Sequence, residues 1–260
     1  MSRGVDGPGA GGAARPTTAL DHLVVAVPSL PDAVAWAERE WGCTVHAGGR
    51  HPAWGTWNAL VPLVGGAYVE LVAPDPDPDP AWSGTRPFGL DGVTRPRLAT
   101  WAVRPEGAAG AGGIEALARG LEDAGVPVGA VGSGRRRRPD GSRLEWRLSD
   151  PSADRLGGTV PFLIDWGPSP HPSGIGPAEV RLRSLSVAHP RDPTLRAALA
   201  ALGWESGAGG VVFPVEREVS HAGGLDGRLR TPPRTPLRGP ALEAALEAVL
   251  ETPGGRLTIG

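Results

Sequence analysis

The order strand, helix, further strands is written twice into this 260-residue chain, at residues 20–73 and again at 97–167. A repeat of this kind restricts the fold to copies of one supersecondary unit. Each copy buries one sheet face under its own helix, and pairing the copies turns their other faces toward a shared hollow. In the first copy, L-D-H-L-V-V-A-V alternates with a period of two. Leu23, Val25 and Val27 take one face, and His22, Val24 and Ala26 take the other. Pro31 opens a helix to Trp41 with apolar Val34, Ala37 and Trp41 at helical spacing, and Gly42 stands at the left-handed cap position. Residues 44–47 are expected to form a short strand and 48–55 a Gly-rich loop carrying His51. Strands at 56–63 and 67–73 flank a Gly65-Gly66 hairpin turn.

The second copy has a strand at 98–103, a helix at 114–124 closed by Gly125, and strands at 143–148 and 160–166. Between the copies, the acidic Asp-Pro repeat at 74–80 has proline at every second position. That spacing excludes a sheet interior and predicts an extended linker. The expected organisation is a disordered tail at 1–17, a first module at 18–75, a Pro/Gly-rich linker at 76–96 and a second module at 97–168. A partial third module follows at 178–260, with a strand at 180–187, a helix at 194–202 and a further strand at 211–219. The segment 242–259 reads either as a helix running to Leu250 or as a hairpin turning at Gly254-Gly255.

Composition narrows the chemistry. The chain has no Lys, which excludes Schiff-base catalysis and lysine anchoring of pyridoxal phosphate. Its one Cys, Cys43, excludes thiolate-rich metal sites and an intrachain disulfide. It has no Walker phosphate loop and no G-x-G-x-x-G after a strand. A net charge of -2 gives no overall attraction to nucleic acid or anionic membrane. The longest apolar runs fall short of a membrane span, and residues 1–17 lack the continuous apolar core of a signal peptide. The expected setting is the cytoplasm, the expected partner a small molecule, and the expected state a monomer or homodimer.

Lined up in order, L-D-H-L-V-V-A-V at 20–27, G-G-R-H-P-A-W-G-T-W-N-A-L at 48–60 and Y-V-E-L at 68–71 resemble the glyoxalase-like domain of the vicinal oxygen chelate superfamily. R-R-R-P-D-G-S-R-L-E-W-R-L at 136–148 and P-F-L-I-D-W at 161–166 extend the likeness into the second copy. The resemblance covers 20–170 well and the C-terminal third loosely. It implies an α+β fold, with paired βαβββ modules forming a cup-shaped mixed sheet and an additional α/β segment at the C-terminus.

The superfamily's metal ligands lie on the first and last strands of each module, which implies His22 and Glu70 here. Alternation places each of them opposite its strand's apolar stripe, so both are expected to face the cup. The implied cofactor is one divalent ion (Zn, Fe, Mn or Ni) or none. The second module departs from the pattern: Ile164 stands at the position matching Glu70, and Ala99 or Leu98 at that matching His22. Ser184 in the third cycle is a poor substitute, so a metal here would take its third ligand from elsewhere, such as His51, or remain largely hydrated. Glu70 as a general base suits proton abstraction beside a carbonyl, with His22 as ligand or electrophile. His51 and Asn58, the chain's only Asn, are candidate substrate contacts. Arg135–Arg138 reads as a solvated charged hairpin, or as a rim where Arg138 pairs with an anionic group; Asp140 is a turn residue. Trp101, Trp146 and Trp166 are candidates for an aromatic wall or for the core. The implied activity is that of a lyase or isomerase on a carbonyl or hydroxy acid. The alternative is metal-free sequestration of a hydrophobic, antibiotic-type compound.

Overall fold

A computed structural model describes residues 18–106, 113–137, 143–204, 211–214 and 244–260. The first module comprises β1 (Thr18–Ala26), α1 (Leu30–Trp41), β2 (His46–His51), β3 (Thr56–Pro62) and β4 (Tyr68–Pro74). Pro31 lies in the first turn of α1, and Gly42 ends the helix at φ 66°, a backbone conformation that costs glycine little. Gly65 and Gly66, both at positive φ, make the turn between β3 and β4.

The second module comprises β5 (Arg97–Pro105), α2 (Gly113–Asp123), β6 (Gly132–Arg137), β7 (Arg143–Leu148) and β8 (Phe162–Asp165). The two modules form one eight-stranded mixed sheet in the order β2-β3-β4-β1-β5-β8-β7-β6. In each, the first strand runs parallel to the last, β1 with β4 and β5 with β8, while β1 and β5 pair antiparallel at the centre. The sheet curls into a nearly closed cup, so the expected α+β architecture of paired modules is what the chain forms.

Alternation separates two cores. Leu23, Val25, Val69, Leu71 and Val103 pack on the convex side with Trp41 of α1 and with Ile114 and Leu117 of α2. Val24, Ala26, Val72, Ala102, Phe162 and Ile164 form a smaller cluster on the concave side.

The third cycle does not extend this sheet. β9 (Arg181–Ala188), α3 (Asp192–Ala201), β10 (Val211–Pro214), β11 (Ala245–Thr252) and β12 (Gly255–Ile259) include a separate four-stranded sheet, ordered β10-β9-β11-β12. The segment with two readings is a hairpin. Its turn docks against the end of α1, where Gly254 N–H donates to the Trp41 carbonyl at 2.8 Å. A side chain at Gly254 would overlap the Glu40 carbonyl, so this close approach selects glycine there.

One local expectation is corrected. The strand expected at 44–47 lies at His46–His51 and runs through Gly48-Gly49, because the two glycines leave room for side chains crossing from β3 and β6. Arg135, Arg136 and Arg137 lie on β6, which has no apolar alternation of its own. Its register with β7 brings Gly134 under the Trp146 ring, where a Cβ would overlap the indole.

Candidate functional site

The parallel register of β1 and β4 sets His22 opposite Tyr68 and Val24 opposite Glu70. His22 and Glu70 are therefore diagonal neighbours on the concave face, and His22 Nε2 lies 3.6 Å from Glu70 Oε2. Both are buried, 2% and 8% exposed. The other carboxylate oxygen, Glu70 Oε1, accepts a hydrogen bond from Asn58 Nδ2 at 2.6 Å. Asn58 Oδ1 in turn accepts from Gly49 N–H at 2.8 Å, which fixes the orientation of the amide. Removal of Glu70 from water is thus matched by partners on both oxygens.

His22 is held from behind as well as in front. Its Nδ1 lies 2.6 Å from Asp21 Oδ1, and its ring stacks on Tyr68 with centroids 4.6 Å apart. Asp21 is fully buried, and its Oδ2 lies 2.9 Å from His171 Nε2 and accepts from Trp166 Nε1 at 3.0 Å. Arg104 Nη1 stands 3.6 Å from the same oxygen. Burial alone would raise the Asp21 carboxyl, but hydrogen bonds from His171 and His22 and their charges hold it well below the usual carboxylate range. Burial pushes the Tyr68 phenol well above its ordinary value, assisted by the Asp21 and Glu70 charges, so it stays protonated.

One cleft, partly open to solvent, contains these groups; the space it encloses is about 50 Å³. His22, His51, Thr56, Asn58, Tyr68 and Glu70 line its first-module side. Trp146, Phe162, Ile164 and Trp166 line the second-module side, and Trp54 and Phe88 add to the aromatic surface. His51 Nδ1 pairs with Thr56 Oγ1 at 3.1 Å. Burial lowers the His51 pKa, the charges of Arg136 and His22 act the same way, and Glu70 opposes them.

Of the residues singled out in the sequence, the fold brings His22, His51, Asn58, Glu70, Trp146 and Trp166 into this one cavity. Trp101 is corrected: it is fully buried in the convex core, where its Nε1 donates to the Thr159 carbonyl at 3.0 Å. It faces away from the cup because it shares a stripe with Val103. Arg138 and Asp140 lie outside the described residues. Arg136, two positions earlier, is the arginine that lines the cavity, because Gly134 and Arg136 share the inward face of β6. The residue matching His22 is Ala102, which pairs with Phe162 as His22 pairs with Tyr68, and not Ala99 or Leu98. Ser184 belongs to β9 in the other sheet. Asp21 and His171 were also missed. An aspartate inside an apolar strand is a readable signal for the first. His171, 150 residues away, carries none.

A family model for the glyoxalase-like domain matches residues 20–203. The chain belongs to that family. This places it in the vicinal oxygen chelate superfamily. No curated protein matches it. Among solved structures, the glyoxalase-like chain is similar to a hypothetical protein from Staphylococcus aureus at 16% identity, covering 71% of this chain and 75% of that one with a TM-score of 0.51. It is also similar to methylmalonyl-CoA epimerase from Mycobacterium tuberculosis, at 24% identity over 58% of this chain and 88% of that one, TM-score 0.36. For a Streptomyces coelicolor methylmalonyl-CoA epimerase the values are 18%, 60%, 99% and 0.39. At these identities the likeness concerns the fold.

The donor set of the glyoxalase-like cup does not fit the metal implied by the superfamily. His22 and Glu70 are two donors, while Ala102 and Ile164 supply none at the matching second-module positions. His51 does not complete the set: among the described residues, no three His, Cys, Asp or Glu side chains group as a metal site. The Arg136 guanidinium lines the same cavity, adding a cation where a metal would need anions. Among the described residues, no helix is long and apolar enough to cross a membrane.

Proposed function

We propose that the cup binds a small, largely apolar carbonyl compound and moves a proton at the carbon beside the carbonyl, without a resident metal. The observation that carries this reading is the Glu70 carboxylate, fixed by Asn58 at 2.6 Å and facing His22 Nε2 at 3.6 Å inside an aromatic-walled cavity. Proton transfer needs a base and an acid, each within reach of the reacting atoms. Glu70 takes the proton as the carbon–hydrogen bond breaks and its electron pair moves toward the carbonyl oxygen. His22 lies between the carboxylates of Asp21 and Glu70; as an imidazolium it gives its Nδ1 hydrogen to Asp21 and donates from Nε2 to that developing enolate oxygen. Return of the proton to carbon gives an isomerase; loss of a leaving group from the adjacent carbon gives a lyase. Arg136 at the cavity wall is suited to a carboxylate on the substrate.

The apolar character of the second-module wall favours a second reading, sequestration of an aromatic compound without chemistry. Carbonyl and hydroxy acids incubated with the protein in D₂O, followed by proton NMR, separate the two. Exchange of a carbon-bound proton for deuterium that is lost in Glu70→Gln supports proton transfer. Tight binding with no exchange, equal in the variant, supports sequestration. Metal analysis of the purified protein accompanies the test, since a stoichiometric ion lost in both His22→Ala and Glu70→Ala would overturn the metal-free reading.

A further inference from the structure

Three nitrogens, one from the neighbouring residue and two from far along the chain, lie within hydrogen-bond distance of the buried Asp21 carboxylate. His22 Nδ1 comes from β1 at 2.6 Å, Trp166 Nε1 from beyond β8 at 3.0 Å, and His171 Nε2 from the following turn at 2.9 Å. An ionised carboxylate only accepts, so each of these nitrogens must carry its hydrogen. Tryptophan does so always. For His171 the nearer contacts agree: Ser173 N–H donates to its Nδ1 at 3.2 Å, and the 2.9 Å approach of Nε2 to Asp21 outweighs the 3.5 Å one from Arg104 Nη1. A ring nitrogen that accepts is unprotonated, so the proton of a neutral His171 lies on Nε2. For His22 the same carboxylate takes the Nδ1 hydrogen and leaves Nε2 as the nitrogen facing Glu70.

We propose that Asp21 is the positioning residue of this site, fixing His22 with Nδ1–H inward and Nε2 toward the cup while holding His171 with its hydrogen on Nε2. The catalytic meaning rests on the reading of His22 and Glu70 as the proton-transfer pair; the tautomers do not. Asp21 touches no reacting atom and acts through the imidazole. By accepting from Trp166 and His171 it also ties the segment after the second module to the first strand of the first. That segment contributes Trp166 and Pro172 to the cavity wall. One carboxylate thereby sets both a ring orientation and a wall.

Asparagine at this position has nearly the same shape but a single acceptor oxygen, so it cannot serve three donors. The test is a ¹⁵N–¹H correlation of the histidine rings in the metal-free, full-length protein, with Asp21→Asn, His171→Asn and Glu70→Gln beside wild type. The expected wild-type spectrum shows a protonated, slowly exchanging His22 Nδ1 and an acceptor-type Nδ1 on His171. The His22 Nδ1–H signal persists in Glu70→Gln and in His171→Asn, and is lost in Asp21→Asn. Under the proton-transfer reading, Asp21→Asn also lowers the deuterium-exchange rate about 100-fold, while ligand affinity changes only a few-fold. Where Asp21→Asn does not fold, the wild-type and His171→Asn spectra decide. An unprotonated His22 Nδ1 in wild type, or its unchanged protonation in folded Asp21→Asn, overturns the proposal. Absent deuterium exchange with the expected tautomers counts against the proton-transfer reading and leaves the positioning role standing.

Discussion

Glu70 Oε1 accepts a 2.6 Å hydrogen bond from Asn58 Nδ2 across the antiparallel pair β3–β4, with both residues buried. Asn58 stands opposite Val72 and Leu60 opposite Glu70 in that register, so the contact is diagonal, like the one Glu70 makes with His22 on its other side. A buried carboxylate thus gains one neutral partner and one imidazole from its two neighbouring strands.

Asn58 and Glu70 should be energetically coupled. Truncating either one leaves the other's polar group buried without its partner, which costs about 1–3 kcal/mol. Urea unfolding of Asn58→Ala, Glu70→Ala and the double variant should give a double loss smaller than the sum by about 1–2 kcal/mol. Strict additivity would show that the two groups do not share a bond in solution.

Asp21 should make stability depend on pH only in strong acid. Its carboxyl lies well below the ordinary range in the folded chain and near ~3.9 when unfolded. A depressed folded pKa contributes stability that is complete above the unfolded value and is lost as pH falls through the folded one. Asp21→Asn is therefore expected to cost about 3–5 kcal/mol at neutral pH. The gap from wild type should hold from pH 7 to 5 and narrow below about pH 4. A gap that already closes between pH 7 and 5 would assign the effect to another group.

Gly48 should resist even alanine. A Cβ there would overlap the Asn58 side-chain carbonyl and approach the Asn58 backbone oxygen. At Gly49 the added atom meets the far end of the flexible Arg136 side chain instead. Gly48→Ala should cost about 1–3 kcal/mol and Gly49→Ala less. Thermal melts of the two variants compare them, and equal losses would contradict the assigned orientation of Asn58.

Cys43 should react slowly with thiol reagents. Burial, with the Glu179 and Glu38 charges adding to it, pushes the thiol up to about 11, so little thiolate is present at neutral pH. Iodoacetamide labelling followed by mass spectrometry should proceed far more slowly in the native protein than in urea. Comparable rates would mean that the thiol is exposed.

Much of this architecture was legible because strand alternation and helix caps are local properties. The stripe Leu23, Val25, Val27 and the cap at Gly42 appear where the spacing puts them. His22 and Glu70 could be assigned to the cup face from alternation alone, since each stands opposite an apolar stripe. β6 was invisible because three of its six residues are arginine and its strand character comes from pairing with β7. Trp101 and Trp146 read alike in sequence, but the first belongs to the convex core and the second to the cavity. The final hairpin had two local readings, and contact with the end of α1 chose between them.

By itself the sequence determined which side chains could share a face, because a period of two or of 3.6 residues is set by backbone geometry. Tertiary structure alone decided which faces met. It brought Asp21 within reach of His171 across 150 positions, placed Arg136 over Gly49, and put Ala102 and Ile164 where the family's metal donors would stand. These juxtapositions depend on register between strands distant in the chain, and local periodicity carries no information about that register.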